Sequence, residues 1–113
     1  MTIHHLDESG PLLSSEADAL DIVGDAFGME ASVVVVPAAR FPPEFFDLST
    51  RLAGDFVQKL VNYRIQLIIL GDIGSFVEVS ESLRAFVAES NRGRHVWFVP
   101  DQLSLQDRIA TLR

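Results

Sequence analysis

Asp47, Ser49 and Thr50 lie within four positions of one another, and Asp72 and Asp101 each follow an apolar run. Two kinds of chemistry suit such residues. Short polar side chains accept hydrogen bonds from the free amides of a first helical turn and sit in its positive field. A hydroxyl at that place can receive or cradle a phosphate, because the free amides favour anions. If Asp47, Asp72 and Asp101 each follow a different parallel strand, they can instead converge as oxygen ligands for magnesium or as a phosphoacceptor pocket. Beside both stand plainer readings, in which Asp47 and Ser49 are helix caps and the aspartates are solvated turn residues. The Gly71-Asp72-Ile73-Gly74 turn lacks the Lys-Ser/Thr of a P-loop and the third glycine of a dinucleotide fingerprint. Ser49 lies in no nucleophile-elbow pattern, and His95 would start at the far edge from it, so no serine triad is assembled. His4 and His5 are adjacent and would point to opposite faces of a strand, which argues against a shared metal. No catalytic residue, metal ligand or cofactor is assigned.

The elements that must position these side chains follow from periodicity. Leu48, Leu52, Ala53, Phe56, Val57, Leu60 and Val61 fall on one helical arc, with Arg51, Gly54, Asp55, Gln58 and Asn62 opposite. This helix ends near Tyr63, and Asp47, Ser49 and Thr50 stand at its start. Val33 to Pro37 is a β-branched run ended by proline, the pattern of a central strand covered on both faces. Ile65 to Leu70 and His95 to Val99 are strands of the same kind. Ser15 with Asp18 predicts a capped helix that stops at Gly28, Ser80 caps another that ends at Asn91-Arg92-Gly93, and Ser104 with Asp107 starts a last one bearing Leu105, Ile109 and Leu112. Met1 to Leu6 reads as a short strand. Asp7 to Pro11 favours a reversal, and Pro11 to Ser14 reads as a second short strand returning from it. The order is β-β-α-β-α-β-α-β-α. It predicts an α/β domain over residues 1–113 whose single-layer, mixed, mainly parallel sheet carries helices on both faces.

A chain of 113 residues with 48% hydrophobic content buries a sizeable core as one unit. Its formal charge of -7 repels nucleic-acid backbones and anionic lipid. Cysteine is absent, which removes disulfides, thiolate zinc sites and cysteine nucleophiles, and points to the cytoplasm. The acidic residues near the start match no signal peptide, and no apolar run approaches the roughly 20 residues of a membrane helix.

In a parallel sheet, ligands gather where strands end. That edge would collect Arg40, Phe41, Phe45, Asp47, Ser49, Thr50, Gly71, Asp72 and Asp101. Phe41, Phe45 and Phe46, if exposed, form an aromatic anchor for a protein partner or a homodimer; the competing reading is core packing. The opposite edge would gather Tyr63, Arg64, Glu89, Asn91, Arg92, Arg94 and His95, either as helix C-caps or as a partner surface.

Several motifs in order, Phe45 to Thr50 with Leu52-Ala53-Gly54 and Gln58-Lys59, then Leu70-Gly71-Asp72, then Ser82-Leu83-Arg84 through Glu89 to Arg94, resemble a small bacterial family carried as domain of unknown function four-one-eight-zero. The likeness covers nearly the whole chain and departs at Arg51, where it leads one to expect glycine. More loosely, the element order and the turn from Asp47 to Gly54 are similar to the STAS domains of anti-sigma factor antagonists and sulphate transporters. That resemblance implies that Ser49 or Thr50 matches a phosphorylated hydroxyl that switches partner binding. The reading is therefore a protein-binding or regulatory module rather than an enzyme, with a small metal-dependent phosphotransfer or hydrolytic domain built on the aspartates as the alternative.

Overall fold

The computed structural model describes residues 2–111, and the statements below concern those residues. Met1 and Leu112, assigned above to the first strand and the last helix, lie outside them. The elements in order are β1 Ile3–His5, α1 Glu16–Gly28, β2 Val33–Pro37, α2 Leu52–Asn62, β3 Gln66–Leu70, α3 Gly74–Glu78, α4 Glu81–Arg92, β4 Val96–Val99 and α5 Gln102–Ala110. Three short 3-10 turns, Ala38–Arg40, Pro43–Phe46 and Leu48–Thr50, lie between β2 and α2. The α/β class is as the periodicity requires.

The sheet has the order β1-β2-β3-β4, and every neighbouring pair is parallel. Parallel neighbours need a crossover, and crossovers of one hand stepping in one direction leave their helices on one face. Accordingly α1, α2 and α4 pack through Ile22, Phe56 and Leu83 against the face that presents Val34, Leu67 and Phe98. The last helix has no later strand to reach, and α5 covers the other face, where Leu105 meets Val35, Ile68 and Trp97. Helices on both faces explain why all five residues of β2 are buried.

Residues 11–14 form no second strand, so one strand precedes α1 and the sheet is parallel throughout the described residues. The reason is local. Gly10 has φ +145, Pro11 has no N–H, and Arg40 holds the segment as a loop. The Arg40 Nε donates to the Pro11 carbonyl at 3.0 Å, its Nη1 donates to the Asp7 carbonyl at 2.9 Å, and the Leu13 amide donates to the Arg40 carbonyl at 2.7 Å. With its backbone engaged by Arg40, this stretch has no ladder to join.

The caps of α1 and α4 are those the sequence predicts. Ser15 and Asp18 form a reciprocal capping box, and the Ser80 Oγ accepts from the Leu83 amide at 3.1 Å. The last helix starts earlier than its Ser104 reading, at Gln102, because Asp101 is the cap and its Oδ1 accepts from the Ser104 amide at 2.8 Å. The start of α2 differs more. Leu48–Thr50 is a separate turn capped by Asp47, Arg51 then adopts φ +66 and ψ 3, and the helix begins at Leu52. A left-handed residue interrupts the amide row, so Asp47, Ser49 and Thr50 do not stand on the first turn of α2.

Candidate functional site

At the ends of the strands, Arg40 is engaged by the loop before α1, and Asp47, Ser49, Thr50, Asp72 and Asp101 are each bonded locally. The Ser49 amide and hydroxyl both donate to Asp47 Oδ1, at 3.1 and 2.7 Å. The Thr50 hydroxyl lies 2.8 Å from the carbonyls of both Glu44 and Asp47, and accepts from the Leu52 amide at 3.3 Å. Asp72 Oδ1 accepts from the Gly74 amide at 2.8 Å. Among the described residues no three His, Asp or Glu side chains gather as a metal would require. Asp47 lies below its ordinary 3.8 because it accepts from the Ser49 hydroxyl and then the Ser49 amide, and Asp101 lies below 3.8 because it accepts from the Ser104 amide.

A depressed carboxyl pKa stabilises the fold fully above the ordinary aspartate range and ceases to do so as pH falls below 3.8 through the folded value. Asparagine caps without titrating. The expected result is that the Asp47→Asn/Asp101→Asn variant loses stability less steeply than wild type in urea titrations between about pH 4 and about pH 2. Parallel acid profiles would contradict it.

A depression of about 380 Å³ lies at this edge with Asp72 and Glu8 among its mostly apolar lining, but the three aspartates do not gather in it, and the strand order explains why. A doubly wound sheet opens a ligand crevice where the strand order reverses. The order β1-β2-β3-β4 never reverses. The phenylalanines are equally unavailable: Phe41 and Phe45 are 4% and 1% exposed, stacked on each other with ring centroids 4.0 Å apart. Phe46 stacks on Phe76 at 4.6 Å, and Phe56 meets Phe41 and Phe45 edge-on. These rings are the core beneath the edge.

The edge where the strands begin is different. Arg64, Arg92, Arg94 and Arg108 gather there with His95, four of the nine cationic side chains in the sequence. The single ion pair found among the described residues, Lys59 with Glu16, involves none of them. Three depressions of about 400, 510 and 600 Å³ adjoin along this edge. The first and second share Val61 and His95, the first and third share Gln66 and Arg94, and the second and third share Gly93. Beside them Phe27 is 56% and Tyr63 44% exposed, and their rings meet edge to face at 5.9 Å. Asn91, at the end of α4, ties the edge together: its Oδ1 accepts from the Phe98 amide at 2.7 Å, and its carbonyl accepts from Arg108 Nη2 at 2.9 Å.

Gln66, Trp97, Phe27 and Arg108 were not among the residues the sequence singled out. A signal existed for the last of these. Arg108 is three residues after Leu105 and one before Ile109, a charged residue on the core-facing side of its helix.

The model of a family described as a domain of unknown function, DUF4180, matches residues 1–109. The chain belongs to the DUF4180 family. Neither a curated protein nor a solved structure matches it. The DUF4180 description assigns no activity.

Membership also gives meaning to position 51 of this DUF4180 chain, where the resemblance leads one to expect glycine. The φ of +66 at Arg51 is a conformation that costs an L-residue roughly 1–2 kcal/mol and glycine nothing comparable. Arg51 is exposed. Arg51→Gly is expected to stabilise this DUF4180 domain by about 1 kcal/mol, after subtracting glycine's larger unfolded entropy. Chemical denaturation would read it, and a loss of stability would contradict the assigned strain.

Proposed function

We propose that this DUF4180 domain is a protein-binding module that engages an acidic partner through the edge where its strands begin. The observation that carries the reading is the concentration there of four arginines free of carboxylate pairing among the described residues, next to an exposed aromatic pair. Arginine and tyrosine are the residues most enriched among those that dominate binding energy, and charges at an interface edge govern encounter and selectivity. A twofold contact with a second copy would set these arginines against one another, so the reading favours a different protein over a homodimer. No observation favours the phosphotransfer alternative, since each of its three aspartates is bonded to its own turn.

A regulatory role would act through Ser49. It is exposed, and its hydroxyl donates to Asp47 at 2.7 Å. A phosphate on Ser49 would replace that donor with negative charge beside a carboxylate and release the cap.

The test is affinity capture from the native cytosol with wild type and with the Arg64→Glu/Arg92→Glu/Arg94→Glu variant. All three side chains are exposed, so the fold should persist, and far-UV circular dichroism checks that it does. A stoichiometric partner held by wild type and lost by the variant is the expected result. Equal capture by both would remove the edge from the proposal, and no stoichiometric partner for either would overturn the binding reading.

A further inference from the structure

The largest of the three depressions, about 600 Å³, lies between the ends of α4 and α5 and the start of β3. Arg92, Arg94 and Arg108 line it with Gln66 and Trp97, and no aspartate or glutamate does. In a chain where 16 acids outnumber 9 bases, three cations around an acid-free hollow are a local inversion of the molecular charge.

Its wall is rigid. Trp97, 5% exposed, donates its indole N–H to the Gly93 carbonyl at 2.8 Å, and the Arg108 guanidinium lies over its ring at 3.9 Å from the centroid. Nη2 of Arg108 is bonded to the Asn91 carbonyl, which fixes the plane of the guanidinium. Among the described residues two buried donor atoms have no acceptor, Arg108 Nε and Gln66 Nε2. A buried donor left unmatched is costly, and here two are found in side chains that line one hollow.

The ends of α4 and α5 oppose an anion, each contributing a partial charge of about -0.5. Three full positive charges outweigh them. A carboxylate would balance one of those charges, whereas a phosphate monoester, at about -1.5 to -2, matches what remains after the helix ends are counted. It also offers three acceptor oxygens to donors arriving from several sides. A nucleic acid would bring a long polyanion against a molecule of net charge -7, which disfavours it.

We propose that the groove formed by Gln66, Arg92, Arg94, Trp97 and Arg108 is a binding site for a phosphate monoester group. This deepens the reading of the edge as a partner surface and rests on it only for the source of the phosphate. Arg92 and Arg94, both exposed, supply the outer donors, and Arg108, held over Trp97 and by the Asn91 carbonyl, adds its charge from within.

Trp97 is the only tryptophan and reports on its own site. The experiment follows its emission while inorganic phosphate or the tripeptide Gly-phosphoserine-Gly is titrated at constant ionic strength set with sodium chloride. Saturable change with phosphate is expected, weakened about tenfold or more in Arg92→Ala/Arg94→Ala, whose unliganded emission and thermal midpoint stay near wild type. Gln66→Leu is expected to raise the thermal midpoint, because it removes a buried unpaired donor, and to leave phosphate binding near wild type. Tripeptide binding at least as tight as inorganic phosphate supports a side-chain ester on the partner. Binding of inorganic phosphate alone supports the groove with a small free ester as its ligand, and overturns its tie to the partner surface. A response no different from chloride overturns the site, and if the charge-reversed variant still loses its captured partner, the binding reading stands without it.

Discussion

Phe56→Ala lowers the stability of the domain by about 4–5 kcal/mol, at the upper end of the range for removing a buried aromatic ring. Phe56 is fully buried on the sheet-facing side of α2. Truncation leaves a cavity between α2 and the sheet, and also removes two edge-to-face contacts, at 5.3 Å to Phe41 and 5.8 Å to Phe45, each worth roughly 0.5–1.5 kcal/mol beyond burial. The neighbours cannot close the gap easily. Phe41 and Phe45 are stacked on each other, and Phe46 is held between them and Phe76. Against a total stability of about 5–15 kcal/mol for a domain, a loss of this size brings the variant close to unfolding at 37 °C. Its thermal midpoint should fall by about 15 °C or more. Phe56→Leu retains most of the volume and should lose less than half as much. Urea denaturation followed through Trp97 measures both, and a loss under about 1 kcal/mol for the alanine variant would show that the rings repack freely.

The same change of a single methyl group is expected to have opposite signs at two glycines. Gly71, just beyond β3, has φ +147, and a Cβ there would lie 2.9 Å from the Cβ of Ala38. Neither side can yield. The Gly71 amide is bonded to the Val99 carbonyl at 2.9 Å, and Ala38 follows β2 directly. Backbone strain of about 1–3 kcal/mol adds to the clash, so Gly71→Ala should cost about 2–4 kcal/mol. Gly24, inside α1, has nothing within 4 Å of the position its Cβ would take. There alanine should stabilise by roughly 0.5–1 kcal/mol, as it does in an exposed helix interior. Matched denaturation curves for the two variants decide the point, and effects of the same sign would refute the assignment of Gly71 as a contact glycine.

Patterns confined to neighbouring residues were readable in advance. Val33 to Pro37 announces a doubly covered strand because its branched side chains leave no polar face, and Ser15 with Asp18 announces a helix start because the box is complete within four residues. What the sequence concealed depends on contacts distant along the chain or on a dihedral. Residues 11–14 have strand-like chemistry, but Arg40, 29 residues beyond Pro11, engages their backbone. Arg51 carries no mark of a left-handed φ, so the polar cluster before it looked like the start of α2. That Asp47, Asp72 and Asp101 do not gather into one group has a third reason. That strands end at a ligand crevice holds for sheets whose order reverses, and strand order is not written in periodicity. The groove at the other edge joins Gln66 of β3, Arg92 of α4 and Arg108 of α5, and only the fold brings them together.

Four parallel strands with returning helices also sort charge along the molecule. First turns carry Glu16, Asp18, Asp55 and Glu81, last turns carry Lys59, Arg92 and Arg108, and all first turns face one way relative to the sheet. Asp25, Glu89 and Asp107 also stand in last turns, so the sorting is partial, and the domain is a small electric vector, negative overall, whose arginines cluster at one pole. Its longest extent is 37 Å, well beyond the screening length of about 8 Å at physiological ionic strength. At low salt, an anion approaching that pole still feels repulsion from the distant acids. The first increments of salt cancel that repulsion before they weaken attraction at contact. Association at this pole should therefore vary little with ionic strength up to the physiological value, unlike the steep decline usual for a basic surface. The same vector would turn the molecule to present its arginines to an anionic surface even though its net charge keeps it at a distance.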